Sequence, residues 1–372
     1  SIDDSGDHIA GIHFNDNGTK MFVTYRQDFD DSFPHVSQYS LSAPYNISTR
    51  TYDGDAERCN LTDVPERVTD LEFSHDGYKM FVSFGSHTIT TAEGDIVYGY
   101  ELSSPYDIST CFYVSKTTNL DSMALQNGSN AGSRGTADNP NNKKENRVQG
   151  IQFNETGTKL FLIFHGQSDF TEADGGGARP TRLLEYKLST PYDITDLSLV
   201  TTAGIELEDE VANPQTMRFS ANGKRIFIVD HLGNANGREV HQVSLSNPYD
   251  TSSFTIDGRV RVEDLDSDHD QPGGIAFSKS GLKMYVGDDG EQSIYEFDLV
   301  CPFNIIAGKC PPITENNNRT GMAIAQIEIA KRTIDQSTDT ALNRLKWIRR
   351  NKDKQNLTNL NIDINFTNQI LT

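Results

Sequence analysis

The sequence predicts an all-β fold: a five-bladed β-propeller of four-stranded antiparallel blades, followed by a C-terminal helical or extended tail. Three observations predict it. One phrase recurs five times, as GIHFNDNGTKMFVTY, LEFSHDGYKMFVSF, IQFNETGTKLFLIF, MRFSANGKRIFIVD and IAFSKSGLKMYVGD. Each copy is followed by an alternating segment and then a turn built on proline and an aromatic ring. The 372 residues include 29 Gly and 13 Pro, with a hydrophobic content of 35%, which suits many short strands and exposed turns better than long buried helices.

Repeated units that cannot each bury their apolar faces must stack on one another, so the repeat decides the fold. Every unit opens on an apolar pair ending at Phe14, Phe73, Phe153, Phe219 or Phe277. A polar turn holding Gly18, Gly77, Gly157, Gly223 or Gly281 follows, then a basic residue and an apolar run such as KMFV or RIFI. Glycine supplies positive φ at little steric cost, so the two apolar runs read as a tight hairpin, strands A and B. Strand C follows from period-two pairs: Tyr39 and Leu41, Tyr100 and Leu102, Tyr186 and Leu188, Val243 and Leu245, Phe297 and Leu299. It runs into SAPYNI, SSPYDI, STPYDI, SNPYDT and VCPFNI, where proline presets φ and ends the ladder. Segments such as LSLVTTAGIELE and SSFTIDGRVRVE then fit strand D. The blades start near residues 11, 70, 150, 216 and 274, and the propeller occupies 1–310. Blade five has no evident strand D: CPFNIIAGKCPPITENNN is broken by prolines, while SIDDSGD at the start aligns with the end of a D segment.

This pattern, over about residues 9 to 310, resembles bacterial propeller repeats of the tyrosine-valine-threonine-asparagine type and their lactonase-like relatives, in which a glycine turn precedes a basic residue and a hydrophobic strand. The resemblance implies the fold and leaves function open, because propellers host unrelated activities.

Spacing locates two insertions. From the strand-A Phe to the Pro of the turn there are 30, 32, 38, 29 and 25 residues, and from that Pro to the next Phe 29, 48, 28 and 29. The long gaps are the D-to-A connection from Ser115 to Arg147 and the B-to-C loop HGQSDFTEADGGGARPTR, 165–182. In an antiparallel meander both connection types leave one end of the blade, so the insertions lie side by side, where long loops on rigid scaffolds tend to bind ligands. His165, Asp169, Phe170, Asp174 and Arg179 are the candidate ligand-binding residues, set against the reading that these are tolerated surface insertions. The linkers entering strand A, SIDDSGD, TDVPERVTD, ELEDEV and EDLDSDHD, bring acids toward the central mouth. Asp264, Asp266, Asp268 and Asp270 form the densest group and suit a hard cation such as Ca2+, against the plainer reading of solvated acidic turns. They do not make an EF-hand: His269 and Ile275 stand where Gly and Glu are needed.

Other classes are disfavoured. Lys and Arg number 33 against 53 Asp and Glu, a net charge of -20, which argues against a nucleic-acid partner or an anionic membrane surface. No run approaches the roughly 20 apolar residues of a membrane span, and SIDDSGDHIAG has neither the basic region nor the apolar core of a leader. HExxH, GxSxG and a phosphate loop are absent, and SHDGYKMF lacks the spacing and Trp of a sialidase Asp-box. Nothing demands an enzyme. Cys301 and Cys310 bracket a short segment and are expected to form a disulfide, whereas Cys59 and Cys111, at different positions in their repeats, are not expected to pair. Eight N-x-S/T sequons, Asn17, Asn46, Asn60, Asn127 and Asn154 among them, matter only in a host that glycosylates.

After Pro311 the composition changes to nine Lys/Arg and six Asp/Glu, net +3, leaving 24 minus 47, or -23, for residues 1–310. Ala325, Ile329 and Arg332, then Leu342, Leu345 and Ile348, keep helical spacing, with Ser337 or Thr338 as a cap. Ile362, Ile364 and Phe366 alternate instead. The stretch ALNRLKWIRRNKDKQNL resembles the segment joining passenger to translocator in autotransporter-like surface proteins of Gram-negative bacteria. The expectation is therefore a mature, exported, extracellular or cell-surface module that binds a carbohydrate or protein ligand, with Ca2+ as the candidate ion and self-association through the 311–372 tail. A metal-dependent lactonase-like or glycan-cleaving hydrolase and an assembly subunit of a surface appendage are the alternatives.

Overall fold

A computed structural model describes residues 8–26, 34–64, 68–85, 95–118, 120, 147–165, 181–200, 204–207, 211, 213–231, 238–265, 271–288 and 292–306. They form five antiparallel sheets arranged as a five-bladed propeller. Blade one contains β1 (His8–Phe14), β2 (Lys20–Arg26), β3 (His35–Leu41) and an outer strand in two pieces, β4 (Arg50–Tyr52) and β5 (Cys59–Asn60), both paired with β3. Blade two contains β6 (Val68–Phe73), β7 (Lys79–Phe84), β8 (Ile96–Glu101) and β9 (Phe112–Lys116). Blade three contains β10 (Arg147–Phe153), β11 (Lys159–His165) and β12 (Arg182–Leu188), again with a divided outer strand, β13 (Leu197–Leu199) and β14 (Ile205–Glu206). Blade four contains β15 (Pro214–Phe219), β16 (Arg225–Asp230), β17 (Glu239–Leu245) and β18 (Phe254–Arg261). In blade five the described strands are β19 (Pro272–Phe277), β20 (Lys283–Asp288) and β21 (Ser293–Asp298). Residues 1–7 and 307–310, the segments that bear on how that blade is closed, lie outside the described residues, as does the tail.

The innermost strands touch in the cyclic order β1, β6, β10, β15, β19 and back to β1, which closes the ring. Five apolar cores, one between each pair of neighbouring blades, hold it together. Each core is built on an aromatic triad assembled from the repeated phrase. Phe81 of blade two lies 4.6 Å, centroid to centroid, from Phe153 of blade three, which lies 5.2 Å from Tyr192 of its own proline turn. Phe22–Phe73–Tyr106, Phe161–Phe219–Tyr249, Phe227–Phe277–Phe303 and Tyr285–Phe14–Tyr45 repeat the arrangement around the ring. Burying each ring contributes about 1.5–3 kcal/mol, and the tilted ring contacts add about 0.5–1.5 kcal/mol each.

The turn glycine serves two needs at once. At Gly157 φ is +68, and a Cβ would stand 2.3 Å from the Tyr192 ring. That tyrosine also has positive φ, 60°, and its N–H donates to the Gly157 carbonyl at 2.8 Å. The same docking of aromatic on glycine turn occurs in all five blades. The basic residue after the glycine is a latch between blades. Lys20 Nζ donates to the Tyr106 carbonyl of the next blade at 3.1 Å, Lys159 Nζ to that of Tyr249 at 2.6 Å and Arg225 Nη1 to that of Phe303 at 2.5 Å. Where blade five meets blade one, Tyr285 O–H donates to the Tyr45 carbonyl at 2.5 Å and Ile47 N–H donates to Glu296 Oε2 at 3.1 Å. Lys79 instead pairs with Glu101 of its own blade at 3.0 Å.

The structure corrects one pairing. Cys59 and Cys111 are joined by a disulfide with their Cα atoms 5.8 Å apart, within ordinary reach. Their unlike repeat positions are what the link requires, because adjacent blades present opposite flanks to each other: β5 of blade one meets the turn before β9 of blade two. Cys301 is also disulfide-bonded, and Cys310 lies outside the described residues.

Candidate functional site

At the axis the inner strands come very close. A Cβ on Gly150 of β10 would stand 2.9 Å from the Met217 nitrogen of β15. Each inner strand breaks register with its neighbour near its start, between Ile9 and Gly11, Val68 and Asp70, Val148 and Gly150, Pro214 and Thr216, and Pro272 and Ile275. Such bulges bend a strand and re-aim its side chains. Into the space left by small residues run two charges. Arg218 of β15 forms a bidentate pair with Asp70 of β6, both bonds at 2.7 Å, with the side chains 6% and 0% exposed. The guanidinium also donates to the carbonyls of Met217 at 2.7 Å, Leu71 at 3.1 Å, Ile12 at 3.4 Å and Ile151 at 3.4 Å, touching the inner strands of four blades. Asp70 accepts in addition from Thr216 Oγ1 at 2.8 Å and from the N–H groups of Leu71 at 2.8 Å and Ile151 at 3.1 Å. The centre of the ring is a saturated ion pair.

Two of the linker acids have basic partners. Asp70 belongs to one of the acidic linkers but is neutralised by Arg218. Glu263 of EDLDSDHD is met by Arg261 and Arg238. Asp264 is the exposed last residue of a short 3-10 turn, Val262–Asp264, and Asp266, Asp268 and Asp270 lie outside the described residues. Among the described residues no group of three or more His, Cys, Asp or Glu side chains is arranged to hold a metal ion.

The loop-bearing end of the ring is defined by strand stems. Arg147, where the first insertion ends, pairs in register with His165, where the second begins, and Arg182, where the second ends, pairs with Phe164. The chain leaves blade two at the same end, with Thr117 N–H donating to the Val97 carbonyl and Leu120 N–H to that of Asp95. His165 is half-buried at this stem, and Asp169, Phe170, Asp174 and Arg179 lie outside the described residues. At the same end of blade four sits a buried polar cluster absent from the sequence reading. His241 Nε2 lies 3.5 Å from Glu239 Oε2 and 3.9 Å from Asp230 Oδ2. Burial, reinforced by Arg259, pushes the His241 imidazole down to about 4, while burial raises the Glu239 carboxyl. Asp230 Oδ1 accepts from Asn213 N–H at 3.0 Å and so fixes the start of β15.

Arg218 and Asp70 could have been found from the repeat. Aligned on the strand-A Phe, Arg218 stands where the other units carry His13, Glu72, Gln152 and Ala276, and Asp70 where they carry Gly11, Gly150, Thr216 and Gly274. A lone acid and a lone guanidinium on innermost strands call for each other.

The fold and its plugged axis define the chain as a five-bladed propeller of the all-β class. No family model matches the sequence, and no curated protein matches it. Similar solved structures include the hydrazine synthase of Kuenenia stuttgartiensis, at 10% identity and a TM-score of 0.40 over 78% of this chain and 72% of that one. A Bacteroides fragilis protein described as a candidate 6-phosphogluconolactonase aligns at 9% and 0.41 over 77% and 69%. The Swd1 β-propeller domain of Myceliophteria thermophila aligns at 8% and 0.36 over 78% and 73%. Likenesses this distant assign neither activity nor partner to this chain.

Proposed function

We propose that this protein is an exported or cell-surface recognition module that binds a carbohydrate or protein ligand at the loop-bearing end of the ring. The observation that carries the reading is the adjacency of the stems: Arg147, His165 and Arg182 belong to three consecutive strands and meet at one end of blade three, so both long insertions rise from one rigid patch. His165 at the base and Asp169, Phe170, Asp174 and Arg179 in the loop are the contact residues of this reading. A disulfide between blades supports an oxidising location, because such bonds persist outside reducing compartments.

The test compares the intact chain with a variant in which 166–180 and 121–146 are replaced by short turns, on a glycan array and in a pull-down. Binding by the intact chain that vanishes in the variant is expected, and binding unchanged by the replacement sinks the reading. Asp264, Asp266, Asp268 and Asp270 are read as a Ca2+ site that raises the melting temperature in millimolar Ca2+, and an unchanged transition removes it. Self-association through the tail is checked by sizing the chain with and without 320–372.

A further inference from the structure

At the loop-bearing end of blade four the acids are buried and the guanidiniums meet solvent. Glu239 of β17 pairs in register with Arg261 of β18, and His241 with Arg259, so these four side chains share one face of the sheet. Arg259 Nε lies 3.2 Å from Glu239 Oε1, with the guanidinium 54% exposed against 6% for the carboxylate. Arg259 makes no other hydrogen bond or ion pair among the described residues, which leaves Nη1 and Nη2 free. Beside it, Glu263 is held by Arg261 Nη2 on one oxygen and by Arg238 Nη1, 3.6 Å away, on the other. Arg238, Arg259 and Arg261 balance Asp230, Glu239 and Glu263, three against three, but the basic members are the more exposed. Arg238 also has a φ of 81°, a left-handed conformation that non-glycine residues rarely adopt. The other described non-glycine residues with positive φ are the aromatic residues of the five proline turns and Gln292, so the repeat does not impose it on Arg238. Glycine would hold that backbone without strain; the side chain is what the position keeps.

We propose that Arg259, with Arg238 and Arg261 beside it, binds the carboxylate of a uronic acid residue, so that the ligand of the loop-bearing end is an acidic saccharide; this rests on the recognition reading above. A guanidinium offers two parallel N–H donors that match the two oxygens of a carboxylate, and the outer edge of Arg259 is available for that fork. The acids behind it fix the guanidiniums without occupying that edge. A sugar suits this end better than a protein. Of the large apolar side chains exposed among the described residues, Leu265 is the one that lies here, while Phe112 and Phe254 open their outer strands at the opposite end, so the apolar anchors of a protein interface are missing. Residues 1–310 carry 24 minus 47, or -23, which would repel a long polyanion. Beyond a Debye length of about 8 Å at physiological salt that repulsion is screened, while the contact with Arg259 is not, so a short oligomer or a terminal uronate is the form that binds.

The experiment titrates the full chain by calorimetry with short oligomers of galacturonate, glucuronate and mannuronate, with their neutral counterparts and with a Glu-rich peptide. The proteins are wild type, Arg259→Gln, Arg259→Lys, Arg238→Gly and the variant with 121–146 and 166–180 replaced, each with a melting curve. Wild type is expected to bind at least one uronate oligomer and to ignore its neutral counterpart. Arg259→Gln should bind at least about tenfold more weakly, and Arg259→Lys, which keeps the charge and loses the fork, should fall in the same direction. Arg238→Gly should melt no lower than wild type yet bind the uronate more weakly, a split that a merely structural role would not produce. The proposal is overturned if no uronate binds better than its neutral counterpart, if Arg259→Gln binds as wild type does, or if the acidic peptide binds in place of the sugars. Uronate binding that survives loop replacement but not Arg259→Gln upholds this site and removes the loop reading. Neutral-glycan binding that needs the loops does the reverse.

Discussion

Replacing Arg218 by Met removes the guanidinium from the middle of the ring and leaves its partners in place. Asp70 then keeps three donors, Thr216 Oγ1 and the Leu71 and Ile151 N–H groups, but loses its countercharge in a site with 0% exposure. The carbonyls of Met217, Leu71, Ile12 and Ile151 lose a shared donor at the same time. Breaking one side of a buried pair costs about 3–5 kcal/mol, since it strands the other charge. For a domain of this size that is a fall in melting temperature of roughly 10 °C. Asp70→Asn should cost a similar amount by stranding the guanidinium. The double variant Asp70→Asn/Arg218→Met strands nothing, so its loss should fall short of the sum of the two single losses by at least about 2 kcal/mol. Urea denaturation of the four proteins measures the coupling. Additive losses, or an Arg218→Met protein as stable as wild type, would refute the view of the axis as a neutralised plug.

Three further outcomes follow from other parts of the ring. Gly157→Ala meets both a φ of +68 and the Tyr192 ring, so it should destabilise by more than about 2 kcal/mol, read from the urea midpoint; a loss within 0.5 kcal/mol, roughly that of a neutral surface change, would deny the docking. The Cys59→Ser/Cys111→Ser protein frees a loop of 52 residues and should lose up to about 4 kcal/mol, and a melting temperature equal to that of the oxidised wild type would argue against the link. His241 is held neutral, at about 4 rather than 6.5, so between those values the unfolded chain takes up a proton that the fold refuses. Its share of stability is intact above pH 6.5 and falls by about 3 kcal/mol as pH drops to 4. The raised carboxyl of Glu239 works in the opposite sense, gaining as pH falls, so the comparison is with His241→Gln: the stability gap between the two proteins must change across pH 6.5 to 4, and parallel curves would sink the assignment.

Much of the blade was legible in the chain because its causes are local. Glycine at 18, 77, 157, 223 and 281 closes a hairpin whose strands are neighbours in sequence, and period-two pairs such as Tyr186 and Leu188 place the third strand against the second. The outer strands were read less well. Those of blades one and three divide into two pieces, each paired with a different part of the third strand. The basic residue after each glycine was visible, but its acceptor was not: Lys20 reaches a carbonyl 86 residues away. For the candidate ligand residues, sequence spacing supplied the location and the register of β10, β11 and β12 supplied a shared base, while Asp169, Phe170, Asp174 and Arg179 rest on sequence alone.

The chain by itself determined how many blades there are, where each begins and which residues make each hairpin, since these depend on φ preferences and on alternation over a few residues. Only the closed ring decided what stands at its centre and along its seams. Asp70 finds Arg218 148 positions on, Cys59 finds Cys111, and Phe14 packs under Tyr285 from the far end of the propeller. Those partners share no local pattern; they are brought together when five wedges, each with two apolar flanks, find no other way to hide both from water.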